Sequence, residues 1–329
     1  PLYRVADAER AIGMFATAPL HREVALPGGG TLLLRRAGHI LGAATAQIDI
    51  GGRRIVFSGD LGRYDDLVMH APESVPEADY VVIESTYGDR RHEHSDPVEA
   101  LGAVIERTVK RGGTVVVPAF AVGRAQSLIY DLWLLRRAGR LNNVPIFLDS
   151  PMATSATELM HAYPDDHRLS VQDYTAACEA ITCVRDVEES KALSANRYPK
   201  VIISASGMAT GGRVLHHIAA FGPHHLNTLL FSGFQAAGTR GRKLLEGAKE
   251  TKIHGQWVPV KAEVAELPGL SAHADSDELM RWLAGFQRPP KNVFIVHGEP
   301  SASEALRERV QRDLGWQATV PRQGQEFKL

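Results

Sequence analysis

The sequence predicts an α/β protein in which a β-rich module is interrupted by a longer α/β insert. Three observations lead there. Residues 1–90 hold strand-like runs joined by glycine turns, strands alternate with helices after Tyr87, and strand-like segments return from about 252. A length of 329 residues suits two domains. With 44% hydrophobic and 23% charged residues the chain has the balance of a folded protein. Thirty-seven basic and 38 acidic side chains give a net charge of -1, which excludes a histone-like protein and leaves any nucleic-acid contact to a local patch. No run approaches the roughly 18 apolar residues of a membrane span. Two cysteines, Cys178 and Cys183, cannot form a disulfide framework and point to a reducing compartment.

Taken in order, residues 7–17 read as a short helix, followed by strand-like REVAL and TLLLRR. The clearest hairpin is AQIDI-GG-RRIVF, in which Ala46, Ile48 and Ile50 alternate and Gly51-Gly52 make the turn. Asp96 is placed to cap a helix with Pro97 at its first position. Val98, Leu101, Val104, Ile105, Thr108 and Val109 form its apolar stripe, and Gly112-Gly113 end it. Strand TVVVPAF, a helix from about Arg124 to Arg137 and strand PIFLD follow, then a helical stretch over 151–195. Strand KVIISAS leads to a helix from about 212, and TLLFSGF to another from about 240. This rhythm predicts a mostly parallel sheet flanked by helices. A helix at 275–285, strand NVFIVH and a last helix with the capping box Ser301-x-x-Glu304 complete the chain.

Five apolar strands end in a polar residue: Asp60, Glu84, Asp149, Ser206 and His297. In open α/β sheets ligands bind at the carboxyl ends of strands, whereas a single acidic strand end is usually a loop cap. His39 and His273 lie in loops of small residues, AGHILGA and SAHAD. His39, Asp60 and His297 together offer ligands suited to Zn²⁺ or Mn²⁺, with no thiolate beside them; the bland alternative is hydrogen-bonded surface histidines. Ser206-Gly-Met-Ala-Thr-Gly-Gly-Arg213 and Gly238-Thr-Arg-Gly-Arg242 each join a strand to a helix, an arrangement that can bind an anion on free backbone N–H groups. Neither fits a nucleotide P-loop, and a tight connection without ligand is the alternative. Arg213, Arg240 and Arg242 favour phosphate. His216 or His217 could face the cleft; His21, His70, His161, His167, His224, His225 and His254 read as surface residues, the cysteines as structural, and Trp133 and Trp282 as core.

AGHILGAA, FSGDLGR, IESTYGDR, PAFAVGRAQ, DSPMA, SGMATGGR, GTRGR, LSAHAD and VHGE resemble, in order, the β-CASP ribonucleases of the metallo-β-lactamase fold. The resemblance spans nearly the whole chain. It implies an αββα sandwich, N-terminally truncated, over 1–90 and 248–329, with a β-CASP α/β insert over 91–247. It implies that His39, Asp60 and His297 are metal ligands, Asp60 bridging two zinc ions, and that Glu84 orients His273 as general acid. Ser206, Gly207, Thr210, Gly211, Gly212, Arg213, Arg240 and Arg242 would line a cleft for single-stranded RNA. Products with a 5′-phosphate and 3′-hydroxyl, a cytoplasmic location and a homodimer are the matching expectations.

The family's HxHxDH motif is not in this sequence, and His92-x-His94 is no substitute. The chain begins at Pro1, which gives the expectation of a piece of a longer product, inert alone, with an apolar sheet face left bare. An inactive RNA-binding or scaffold relative is one competing reading, although every matching site residue is present. A small-molecule metallo-hydrolase is the other, disfavoured by the large insert.

Overall fold

The structure, a computed structural model, describes residues 2–92 and 96–329, so His94 lies outside the described residues. Helix α1 (Val5–Ile12) is shorter than the expected 7–17 and buries none of its residues. Strands β1 (Val24–Leu26), β2 (Gly30–Arg36), β3 (Ala44–Ile50), β4 (Arg53–Phe57) and β5 (Tyr80–Ile83) open a first sheet. The expected hairpin is present: Ile50 pairs with Arg53 across Gly51 and Gly52, whose φ values of +60° and +73° suit a two-residue turn.

After β5 the chain enters the insert. Helix α2 (Pro97–Lys110) starts as predicted, with the Asp96 carboxylate accepting from the Val98 and Glu99 amides at 2.9 and 3.2 Å. There follow β6 (Val115–Pro118), α3 (Arg124–Arg137), β7 (Ile146–Asp149), α4 (Pro151–Ala162), α5 (Val171–Glu179), β8 (Thr182–Cys183) and α6 (Val187–Ala195). Then come β9 (Val201–Ser204), α7 (Val214–Phe221), β10 (Thr228–Phe231), α8 (Arg240–Leu245) and the hairpin β11 (Glu250–Ile253) and β12 (Gln256–Pro259). Strand β13 (Glu263–Glu266) pairs parallel to β10. The second sheet is thus parallel, in the order β13-β10-β6-β9-β7-β8. The return to the first module expected at 248 therefore comes later: residues 250–266 belong by pairing and packing to the insert, where Ile253, Val260 and Ala262 pack with Phe231 and Leu244.

Strands β6, β9 and β10 are buried at every residue, as uninterrupted valine, isoleucine and leucine runs require when helices cover both faces. Val115 and Val117 pack with α2 and α3, while Val116 faces the α7 side.

Helix α9 (Ser276–Leu283), β14 (Asn292–Ile295), α10 (Pro300–Arg309) and β15 (Ala318–Thr319) close the chain. The first sheet runs β1-β2-β3-β4-β5-β14-β15. Its α10 is capped differently from the expected Ser301 box: Pro300 occupies the first turn after Glu299, and no side chain caps the end. The working capping box is Asp275 with Glu278, at α9.

The two faces of the first sheet differ. Val56, Val81 and Val293 lie in register and are buried against α9 and α10. On the opposite face Ile55 and Val82 are half-buried, Ile50 is 43% and Phe57 40% exposed, and Phe294 lies against Phe327 and Tyr80. The alternation of Ala46, Ile48 and Ile50 thus marks this open face, and Thr45 and Gln47 point to the buried one.

Candidate active site

Backbone crossings between glycines bring the site together. Gly38, with φ +76°, turns the chain into His39, and a Cβ there would lie 2.5 Å from the His70 carbonyl oxygen. A Cβ on Gly62 would lie 2.0 Å from the Gly38 oxygen. Only hydrogen fits at either place. Isolated bridges join Gly38 to Leu61 and Gly62 to His273, so the His39, Asp60 and His273 loops are sewn to one another. Glu84 follows β5 directly, and His297, at φ +53°, lies two residues beyond β14. Strands β4, β5 and β14 are parallel neighbours, so their carboxyl ends share one edge.

His39 Nε2 lies 3.8 Å from Asp60 Oδ2, and His297 Nδ1 lies 3.4 Å from Asp60 Oδ1. The His39 and His273 rings are 4.2 Å apart between centroids, and those of His273 and His297 6.1 Å. One ligand atom each from His39, Asp60 and His273 falls within 4.8 Å of the others, a spacing able to hold a metal ion. All five residues expected here, His39, Asp60, Glu84, His273 and His297, are therefore neighbours, with His273 closer to the His39–Asp60 pair than the sequence indicated.

Glu84 is almost fully buried and its carboxylate accepts from Leu61 N at 2.7 Å and Thr86 N at 3.3 Å. His273 Nδ1 lies 3.1 Å from both Glu84 oxygens, so it carries the proton and donates. Burial pushes the Glu84 pKa up, but the His273 hydrogen bond and charge outweigh it and hold the carboxyl below its ordinary value. Burial likewise pulls His273 down, and Glu84 overcomes it, leaving the imidazole above its usual value. His39 is lowered by burial and then by neighbouring His273. His92 buttresses the site: its Nε2 lies 2.8 Å from the His273 carbonyl oxygen, and its amide donates to Asp275 at 2.9 Å.

The remaining strand ends form a different cluster. Asp149, fully buried, accepts from Arg213 Nη1 at 2.7 Å, and from His217 Nε2 at 2.6 Å and Ser190 Oγ at 2.5 Å on its other oxygen. Arg213 also donates to the carbonyls of Val184 and Arg185, and Arg240 donates to those of Ala209 and Lys252. Their guanidinium groups face inward because interior acceptors claim them, which corrects the expectation that Arg213 and Arg240 present themselves to phosphate. Arg242 pairs with Glu246 at the surface. Ser206 Oγ accepts from the amides of Thr210 and Gly211 at 3.1 and 3.2 Å, so the loop satisfies part of its own N–H set. Gly207 lies under Phe120, where a Cβ would meet the ring at 2.8 Å, and Gly212 takes φ +79°. His217 is buried on Asp149, and His216 stacks on His254 at 4.6 Å. His167, expected at the surface, is buried with Nε2 3.2 Å from the Met160 oxygen. Trp282 is core as expected.

Sequence reasoning passed over Arg124 and Tyr87. Arg124 is 9% exposed and Tyr87 5%, and Tyr87 packs between His92, Phe234 and His273. The available signal was the arginine in PAFAVGRAQ, at a strand-to-helix junction with glycine before it.

The fold and this cluster define a metallo-hydrolase of lactamase type carrying an inserted parallel-sheet domain. The Beta-Casp domain pattern matches residues 125–244, and the Zn-dependent metallo-hydrolase RNA specificity domain matches residues 257–321. The chain is 36% identical to Ribonuclease TTHA0252 of Thermus thermophilus, over 93% of this chain and 71% of that protein. It is 32% identical to the transcription termination factor FttA of Pyrococcus abyssi, over 98% of this chain and 52% of that one. It is 31% identical to an RNase J-like protein of Methanocaldococcus jannaschii, over 88% of this chain and 68% of that protein. A protein of unknown function from Enterococcus faecalis shares the fold, with a TM-score of 0.50 and 11% identity over 94% of this chain and 66% of that one. The chain belongs to the β-CASP RNA-processing nucleases of the metallo-β-lactamase family. It spans about half the length of the archaeal termination factors and about seven-tenths of the Thermus ribonuclease.

Proposed function

We propose that the protein containing this chain hydrolyses phosphodiester bonds in single-stranded RNA at the His39–Asp60–His273–His297 cluster, with Zn²⁺ as cofactor and Mn²⁺ as the alternative. The observation that carries this reading is the Glu84–His273 pair, 3.1 Å apart, set against His39 and Asp60. The donors fit a divalent ion: imidazole nitrogens and one carboxylate suit Zn²⁺, and His39 Nδ1 is buried without a hydrogen-bond partner among the described residues. His39, Asp60 and His297 would hold it. Such an ion, when bound, polarises phosphoryl oxygens and lowers the pKa of water. Two ions per chain is the family expectation; among the described residues the three donors within 4.8 Å of one another are His39, Asp60 and His273, and His297 joins them through Asp60 at 3.4 Å, so a second ion needs further ligands.

The chain's own residues do the rest. Glu84 fixes the Nδ1 proton of His273, which leaves Nε2 to hold a second proton and pass it to the leaving 3′ oxygen. Tyr87 packs beside that ring and His92 holds the His273 carbonyl. The loop at 206–212 and Arg242 stay as candidate contacts to the strand. A homodimer and a cytoplasmic setting belong to the same reading. Two free cysteines support the latter, and no helix of the described residues is long and apolar enough to cross a membrane.

The test uses the complete protein, with metal content by mass spectrometry and cleavage of a labelled single-stranded RNA. Asp60→Ala should lose metal and activity together. His273→Ala should keep its metal and cleave about 10²–10⁴-fold more slowly. Loss of metal in His273→Ala would make that histidine a ligand and remove it as the proton donor.

A further inference from the structure

Arg124 opens α3, and its setting is unlike that of the other inward arginines. Gly123 before it has φ +83°, and a Cβ there would lie 2.4 Å from Ile40 Cγ2. The start of α3 is thereby pressed against the residue that follows His39. Arg124 is 9% exposed, and among the described residues its guanidinium makes no hydrogen bond and no ion pair. By contrast Arg63 holds Asp65 and the Gly269 carbonyl, Arg213 holds Asp149, and Arg309 holds Asp277.

A guanidinium cannot escape burial by losing its proton, so a buried one calls for an anion. The nearest carboxylates serve poorly. Asp66 and Asp131 bear on Arg124 through charge, yet neither comes within 4.0 Å. Asp66 Oδ1 is occupied by the amides of Val68 and Met69, both at 2.7 Å. Burial pushes Asp131 up to about 7, so it is only partly ionised near neutrality.

Arg124 also faces the chemistry. An ideal Cβ on Gly233, which has φ +136°, would lie 4.0 Å from both Arg124 Nη2 and Ser271 Cα, two residues before His273. Arg124 is near enough for its charge to bear on Tyr87 and His273, and Tyr87 packs beside the His273 ring.

We propose that Arg124 is an anchor for a backbone phosphate of the bound strand, gripping its non-bridging oxygens beside the metal cluster. This rests on the RNA-hydrolase reading for its ligand, and for its position on a residue only 9% exposed whose guanidinium has no hydrogen bond or ion pair among the described residues. Planar, bidentate donation is what arginine gives a phosphate and lysine does not.

The experiment uses the complete protein with Arg124→Gln and Arg124→Lys, a non-cleavable single-stranded oligoribonucleotide and, separately, inorganic phosphate as probes. RNA affinity of Arg124→Gln should fall about 10–100-fold, the range of a charge-assisted hydrogen-bond pair. The slope of log affinity against log salt should shrink by about 0.7, one phosphate contact on a single strand. Arg124→Lys should restore the slope but not the full affinity. Inorganic phosphate should raise the melting temperature of the wild type and not of Arg124→Gln. An unchanged salt slope in a folded Arg124→Gln overturns the proposal, and so does failure of both variants to fold, which makes the residue structural. If RNA is not a substrate at all, the phosphate measurement still decides whether Arg124 binds the anion, and the two readings fail separately.

Discussion

Replacing Asp149 by alanine removes the one carboxylate that ties Arg213, His217 and Ser190 together. Asp149 is fully buried and accepts three hydrogen bonds of 2.5–2.7 Å. Its loss leaves the Arg213 cation with two carbonyls and no counter-charge. Breaking a buried pair from one side costs about 3–5 kcal/mol. At about 2–4 °C per kcal/mol for a domain of this size, the melting temperature should fall by roughly 6–20 °C. Arg213→Met should cost less, about 1–3 kcal/mol, because His217 and Ser190 still satisfy the carboxylate. The pH dependence has a definite sign. Burial raises the Asp149 pKa, but the bonds from His217, Ser190 and Arg213 outweigh it and set it below the ordinary 3.8. A depressed folded-state pKa gives stability that is complete above the unfolded value and lost as pH falls through the folded one. The gap between wild type and Asp149→Ala should therefore persist from pH 5 to 8 and narrow below about pH 4. Urea titrations followed by far-ultraviolet circular dichroism measure it. If Asp149→Ala and Arg213→Met each lose under about 1 kcal/mol while RNA affinity drops tenfold, the structural reading is wrong and Arg213 returns to the phosphate-binding set.

Three further outcomes are expected. Asp131, raised to about 7 by burial, binds a proton more tightly folded than unfolded, so its contribution to stability falls as pH rises from 3.8 to 7. Asp131→Asn should gain stability over wild type by a few kcal/mol at pH 8 and little at pH 4; equal gains in thermal melts at both pH values would contradict the burial argument. Gly62→Ala would place a methyl 2.0 Å from the Gly38 oxygen and must spread the His39 and His273 loops. Metal affinity of the complete protein should fall at least tenfold, and wild-type affinity would show that the loops are not held by that crossing. Phe57, 40% exposed on the open sheet face, should tolerate Phe57→Glu with under about 1 kcal/mol lost. Binding of a hydrophobic dye by the 329-residue chain should drop in that variant, and undiminished fluorescence would place the dye elsewhere.

Much of the fold was legible because it rests on local rules. Gly51-Gly52 could only be a tight hairpin turn, Asp96-Pro97 a helix start, and VVVP, VIIS and TLLF strands buried on both faces. Ser301-x-x-Glu304 misled because the helix starts at Pro300, with Glu299 at its N-cap, two residues before Ser301. The alternation of Ala46, Ile48 and Ile50 was legible as a strand but silent about which face the helices would cover. The boundary at 248 failed because β13 joins β10 through backbone pairing, and nothing in EVAE names its partner.

The sequence by itself determined the elements and the inventory of donors, since periodicity, capping and residue chemistry are local and survive in any context. His39, Asp60, Glu84, His273 and His297 could be proposed as one site because each sits at a strand end or in a loop of small residues. What only the tertiary structure decided is which charges meet. Asp149, at a strand end, and Arg213, at the end of a glycine loop, look like cleft residues, yet packing between β7, α6 and α7 ties them to each other. Arg124 looks like the first residue of an ordinary helix, yet the fold sets it near Gly233 and Ser271 without a hydrogen-bond partner among the described residues. Whether a charge is spent inside the protein or offered to a ligand depends on contacts between residues far apart in sequence, 64 for Asp149 with Arg213, and those are fixed by packing.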